Sequence, residues 1–241
     1  MRGPYSEEKP LKDVIPAPQV PRVPVTGGAS VFPVHRIYCV GRNYVEHAIE
    51  MGHSGREPPF FFMKPADAVL PVGEGDAGAM PYPPLTANLH HELELVVAIG
   101  KGGRDIAPAD ALDHVWGYAV GLDMTRRDLQ NDMKKQGRPW CIGKGFEASA
   151  PIGAITPAAA VPGIHDAAIE LWVNGQPRQG SRTGKLIWSV AEVISHLSAA
   201  WTLAPGDLIY SGTPEGVAAV VRGDLLEARI EGLSPLKLSI V

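Results

Sequence analysis

Glycine and proline interrupt this chain at almost every junction between apolar segments, with 27 and 23 copies in 241 residues. Between them lie the short runs HRIYCVG, PFFFMKP, LELVVAIG, VWGYAVGLD, IELWVNG, GDLIYSG, DLLEARIEG and LKLSIV. Apolar runs of this length, bounded by residues that break helices and form turns, predict strands. Helical patterns are confined to 44–51, about 126–136 and 189–201. In the last of these, Ser189 precedes Glu192 by three positions, the spacing of a capping box. The expected fold is therefore α+β, predominantly β, with few helices. Residues 1–31, rich in proline and ending in TGGAS, predict an extended or poorly ordered arm, which leaves 32–241 as one domain without internal repeats.

The net charge of −4 gives no electrostatic footprint for nucleic acid. No apolar run approaches the roughly 20 residues of a membrane helix, and MRGPYSEEKPLKD lacks the apolar core of a secretory signal. Cys39 and Cys141 both lie in apolar contexts, IYCVG and PWCIG, and predict buried free thiols in a reducing cytoplasm. There is no nucleophile elbow, phosphate-binding glycine loop or dinucleotide fingerprint.

The chemistry concentrates in HHELEL, residues 90–95, and GLDMTRRDLQ, residues 121–130. Glu92 and Glu94 leave the same face of a strand, and that face continues as Val96 and Ala98. The opposite face reads Leu93, Leu95, Val97, Ile99. Both faces are apolar, so two adjacent carboxylates sit at one end of a buried strand, where they repel unless a cation lies between them. Asp123 ends the next strand, and Thr125 and Asp128 have capping-box spacing for a following helix. Asp123 is then either a third ligand or an alternative N-cap. Three carboxylates without a Cys/His cluster describe a hard site suited to Mg²⁺, Mn²⁺ or Ca²⁺; His90 and His91 are not expected to be ligands.

Other groups admit two readings each. His47 and Glu50, three apart in a helical pattern, form either a surface contact or an oriented general base. Arg42 and Asn43 follow a buried strand and either hold an anion or form the turn. Arg127 and Gln130 share a helix face. Lys144, in CIGKGF, either pairs with a carboxylate or binds a substrate oxyanion. Thr213, in the turn of SGTPEGV, and the backbone N–H groups near it can cradle a carboxylate. Arg104 and Arg178 need no role beyond a solvated face.

GRNY followed by HxxE, then FMKP, HHELEL, GLDMTRRDLQ, PWCIGKGF and SGTPEGV occur in the order typical of the fumarylacetoacetate hydrolase family. The resemblance covers about residues 32–241 and is similar to the short acylpyruvase branch. It implies a mixed β-sandwich or roll with a curled sheet, in a homodimer. It implies that Glu92, Glu94 and Asp123 bind a divalent metal, typically Mg²⁺ or Mn²⁺, and that His47 and Glu50 activate water from a short helix acting as a lid. Arg42, Arg127, Gln130, Lys144 and Thr213 match positions near a bound acylpyruvate; Lys64 matches a lysine without an assigned function. After GTPEGV the chain reads AAV, where many relatives have another glycine.

The activity implied is metal-dependent hydrolysis of a carbon–carbon bond in an acylpyruvate. Fumarylpyruvate would give fumarate and pyruvate, as in gentisate breakdown. Oxaloacetate decarboxylation, and decarboxylation or isomerisation of the dicarboxylic acids of homoprotocatechuate breakdown, use the same site. A non-catalytic keto-acid binder is the reading from a different class, against which the base pair His47 and Glu50 argues.

Overall fold

In the computed structural model, which describes residues 13–44 and 56–241, each of those apolar runs contributes a strand. In chain order these are β1 (Arg22–Pro24), β2 (Val31–Pro33), β3 (Ile37–Gly41), β4 (Phe60–Lys64), β5 (Val69–Pro71) and β6 (Ala77–Met80). Next come β7 (Leu89–His91), β8 (Leu93–Ile99), β9 (Val115–Leu122), β10 (Thr125–Arg126), β11 (Ala150–Ile152) and β12 (Thr156–Pro157). The last six are β13 (Ala168–Val173), β14 (Gln176–Arg182), β15 (Leu208–Tyr210), β16 (Ala218–Val220), β17 (Leu225–Ile230) and β18 (Leu236–Ile240). Among the described residues there are three α-helices, Arg127–Lys135, Cys141–Lys144 and Val190–Ala200, so the chain is α+β and predominantly β. None is long and apolar enough to cross a membrane.

The largest sheet runs β4-β3-β15-β8-β9-β11-β5, with β12 added beside β9. It is mixed: β3 and β15 are parallel, as are β11 and β5, whereas β8 is antiparallel to both β15 and β9. A second sheet runs β14-β13-β17-β18-β6, and a ribbon of three runs β10-β7-β16. All seven residues of β8 are buried. Leu93, Leu95, Val97 and Ile99 enter the main core, with residues of β13 and β17 and of the helix Val190–Ala200. Val96 and Ala98 enter a second core that includes Val23, Phe32, Ile152 and Tyr210. A strand buried on both faces explains its unbroken apolar run, and Glu92 and Glu94 share the parity of the second face.

β1 and β2 pair as an antiparallel hairpin, and Val23 is fully buried. Thr26 N and Ile155 N bond across to Ile155 O and Pro24 O. From Arg22 onward the proline-rich segment is thus packed on the domain, because Val23 and Phe32 close the second core; residue 31 falls inside β2.

Ser189 caps its helix as expected, with both arms of the capping box made. The box expected at Thr125 and Asp128 does not form. Thr125 and Arg126 pair with His90 and Leu89, which delays the helix to Arg127. Thr125 Oγ1 turns back to donate to Asp123 O, and the Asp128 carboxylate accepts from Thr86 Oγ1 (2.6 Å) and Ala87 N (3.0 Å). Cys39 is buried, but Cys141 is exposed, contrary to expectation: it opens a four-residue helix whose buried side is carried by Gly143 and Lys144.

Candidate active site

The β7–β8 junction brings Glu92 and Glu94 to the end of the largest sheet, and β9 delivers Asp123 beside them, with Asp123 N donating to Glu92 O at 2.8 Å. All three side chains are buried, and one oxygen of each lies within 4.8 Å of the others. Lys144 Nζ bridges two of them, at 2.7 Å from Glu92 Oε2 and 2.6 Å from Asp123 Oδ2. An ammonium has three donors, so one N–H of Lys144 remains. Arg127 donates to the other oxygen of Glu92 and to Gln130 Oε1, which leaves the Gln130 amide N–H groups as donors.

Lys64, at the end of β4, is a site residue whose role the sequence did not disclose. It is 1% exposed, donates to the carbonyls of Met124 (3.1 Å) and Lys144, and stands 2.8 Å from Asp123 Oδ1. The signal was its place inside PFFFMKP, a lysine in an apolar run. Gln179, from the second sheet, was missed altogether: it is buried and bonds to Leu93 N and Thr213 Oγ1. Nothing in QPRQG marks it out.

Charge is unevenly shared among the three acids. Burial opposes ionisation of Glu92, but Lys144 and Arg127 outweigh it and hold the carboxyl well below the usual carboxylate range. Glu94 is pushed well above that range, first by burial, then by Asp123 and Glu92. Its one strong partner is Gly212 N, at 2.7 Å, and among the described residues no cationic side chain forms an ion pair with it. Asp123 Oδ1 faces Lys64 as an ion pair yet accepts no well-aligned hydrogen bond. A carboxylate without a cationic partner and an unsatisfied carboxylate oxygen, in a set made of oxygen donors alone, fit a hard divalent cation.

These groups open into a cavity of about 150 Å³. Its lining includes Glu92, Glu94, Arg127, Gln130, Lys144 and Thr213, with Arg42 and Lys134 as further cations. Of the pair after β3, Arg42 lines the cavity, whereas Asn43 forms the turn. The Asn43 amide donates to Trp188 O and Ser211 O and accepts from Trp188 N. Arg42 sits in the left-handed region (φ 54°) and lies 4.9 Å from the centre of the Phe60 ring. Gly41 permits this, since a Cβ there would stand 2.1 Å from that ring.

The two histidines make hydrogen bonds of their own, His90 Nε2 to Asn88 Oδ1 and His91 Nδ1 to Gln179 Oε1, both at 2.9 Å. Burial, then the Arg127 charge, lowers His90 to about 4, so its ring is neutral at pH 7. His47 and Glu50 lie outside the described residues. The remaining expected site residues, Arg42, Arg127, Gln130, Lys144, Thr213, Glu92, Glu94 and Asp123, are brought together around one cavity or its floor.

A family model described as fumarylacetoacetate (FAA) hydrolase C-terminal matches residues 36–241. The chain is 54% identical to the crystal structure of fumarylpyruvate hydrolase from Pseudomonas aeruginosa in complex with Mn²⁺ and pyruvate. That likeness covers 95% of this chain and 99% of the other, with a TM-score of 0.93. The fumarylpyruvate hydrolase of Ralstonia sp is 46% identical over 184 residues, 76% of this chain and 93% of that protein. The mitochondrial oxaloacetate tautomerase of Bos taurus is 43% identical over 204 residues, 85% of this chain and 90% of that protein.

Proposed function

Because this chain belongs to the fumarylacetoacetate hydrolase family, we propose that it is an acylpyruvate hydrolase, converting fumarylpyruvate and water to fumarate and pyruvate. The observation that carries this reading is a buried carboxylate triad beneath a cavity lined by Arg42, Arg127, Lys134 and Lys144. Such a lining suits a substrate with carboxylates at both ends.

In this reading Glu92, Glu94 and Asp123 hold Mg²⁺ or Mn²⁺. When bound, the ion supplies Lewis-acid neutralisation of the charge that develops on a keto acid as its enolate forms. His47, oriented by Glu50, takes a proton from water. The hydroxide adds to the carbonyl carbon distal to the pyruvoyl half. The remaining N–H of Lys144 donates to the oxyanion. Collapse breaks the bond between that carbon and the adjoining methylene, fumarate leaves, and the electron pair departs as the enolate of pyruvate, which is then protonated. Arg42, Arg127, the Gln130 amide and Thr213 orient the substrate oxygens.

The likeness to an oxaloacetate tautomerase favours a second reading, in which the same acids and Lys144 serve enolate chemistry on oxaloacetate without attack by water. Rates on fumarylpyruvate, acetylpyruvate and oxaloacetate, with and without EDTA, separate the two. Fumarylpyruvate is expected to be turned over fastest, with loss of activity in EDTA. Replacing His47 by Ala should lower kcat about 10²–10⁴-fold on fumarylpyruvate; an unchanged kcat would remove the base from this mechanism. We further infer a homodimer, a place in the cytoplasm and a role in gentisate breakdown. Sedimentation of the full chain checks the first.

A further inference from the structure

Gln179 is the one buried residue of β14, a strand otherwise exposed or half-exposed. The ladder explains how it turns inward. Leu171 of β13 faces Gln179, and Trp172 faces Pro177, so Arg178 is an extra residue in a β-bulge. A bulge re-aims the side chain beside it. The SGTPEGV turn packs on this bulge. Gly216, with φ +88°, has no Cβ, and one built there would stand 2.1 Å from Arg178 O.

All four hydrogen-bonding positions of the Gln179 amide are used. Oε1 accepts from Leu93 N at 3.0 Å and meets His91 Nδ1 at 2.9 Å. Nε2 donates to Pro214 O at 2.9 Å and Thr213 Oγ1 at 2.8 Å. Leu93 N–H can only donate and Pro214 O can only accept, so the two ends of the amide cannot be exchanged. Two consequences follow. Leu93 lies between Glu92 and Glu94, so Gln179 grips the main chain at the midpoint of the pair. Thr213 Oγ1 receives a hydrogen bond, and its own hydrogen meets no acceptor among the described residues, while the side chain lines the cavity.

We propose that Gln179 is a positioning residue that sets both halves of the site at once. It fixes the main chain between the two glutamates that hold the metal, and it makes the Thr213 hydroxyl a hydrogen-bond donor toward an anionic oxygen of the substrate. The second sheet thereby acts on chemistry performed at the end of the first. This rests on the acylpyruvate hydrolase reading for its substrate, but its metal-binding half does not require turnover.

The test uses the full chain, Mn²⁺ calorimetry without substrate, and steady-state kinetics on fumarylpyruvate. Gln179→Met, similar in length but without hydrogen bonds, should weaken Mn²⁺ binding about tenfold or more, as loss of an outer partner does, and raise KM about tenfold. Gln179→Glu keeps the acceptors for Leu93 and His91 and loses both donors. It should bind Mn²⁺ no more weakly than the wild type and still raise KM, which keeps the proposal testable if Q179M does not fold. Adding Thr213→Val to Q179E should raise KM no further, because both changes remove the same donor. A merely structural glutamine would lower Tm while leaving Mn²⁺ affinity and KM unchanged. That result, or KM effects of Q179E and T213V that multiply, would overturn the proposal. A wild-type protein that binds Mn²⁺ but leaves fumarylpyruvate intact would instead overturn the assigned reaction, and the Mn²⁺ comparison would still decide the role of Gln179 at the metal.

Discussion

Glu94 is the least comfortable residue of the site when no cation is bound, and that discomfort has a measurable sign. Its carboxyl is held well above the usual range by burial, then by Asp123 and Glu92. A folded-state acid displaced upward favours folding at low pH, and that support is lost as pH rises through its raised range. Glu94→Gln removes the loss. The metal-free variant should be more stable than metal-free wild type at neutral pH, by about 1 kcal/mol or more, each tenfold displacement of ionisation being worth about 1.4 kcal/mol. The gap should widen as pH rises. With Mn²⁺ the order should reverse, because the variant has lost a ligand. Urea midpoints in EDTA and in Mn²⁺ check both signs, and a variant less stable in both would show that Glu94 is a structural group. Lys64 predicts a pattern that does not depend on the metal. Its ammonium is the buried partner of Asp123 Oδ1 and of two carbonyls. Lys64→Met should destabilise the protein by about 3–5 kcal/mol with or without metal, as removal of one partner of a buried pair does.

At the scale of elements, the parallel pair β3 and β15 is tied at its entry by Asp207. This fully buried carboxylate takes Arg36 through Nε (3.0 Å) and Nη2 (2.8 Å), His35 Nδ1 (2.8 Å) and Ala204 N (2.8 Å). Asp207→Ala should cost about 3 kcal/mol, the low end for a buried pair because Arg36 is partly exposed. A loss under about 1 kcal/mol in urea unfolding would show that water replaces the carboxylate. Elements of this kind differ in how far a sequence discloses them. The two faces of β8 were legible as alternating residues, because a strand buried on both sides sorts its side chains by parity alone. The two glutamates were legible for the same reason, since Glu92 and Glu94 continue one face of that strand with charge, whereas Asp123, at the end of the next strand, reads either as a ligand or as an N-cap. The cap at Ser189 was legible because both of its arms lie within four residues. The cap at Thr125 was not, because pairing with β7, more than thirty residues earlier, took Thr125 for a strand. Gln179 was invisible because a bulge in β14 and four partners from β7, β8 and the SGTPEGV turn give it meaning. Cys141 misled because its apolar neighbours lie along the chain and do not surround it in space.

The whole molecule converges on the triad from segments far apart in sequence. β8 brings Glu94 and β9 leads into Asp123; β4 brings Lys64, the helix Cys141–Lys144 brings Lys144, and β14 of the second sheet brings Gln179. A cation held there ties these elements to one another and binds only the folded chain, so affinity becomes stability. At free Mn²⁺ a hundredfold above its dissociation constant, the folded state should gain about 2.7 kcal/mol. For a chain of this size about 2–4 °C accompanies each kcal/mol, so Tm should rise by roughly 5–10 °C over its value in EDTA. Asp123→Asn should abolish most of this rise, because the variant loses a charged ligand and leaves Lys64 and Lys144 less well paired. The same variant separates ion binding at the triad from adventitious binding elsewhere on a chain of net charge −4. Scanning calorimetry across a Mn²⁺ series reads both. A rise that persists undiminished in D123N would place the stabilising ion outside the triad, and with it the premise that these three acids hold the metal would fall.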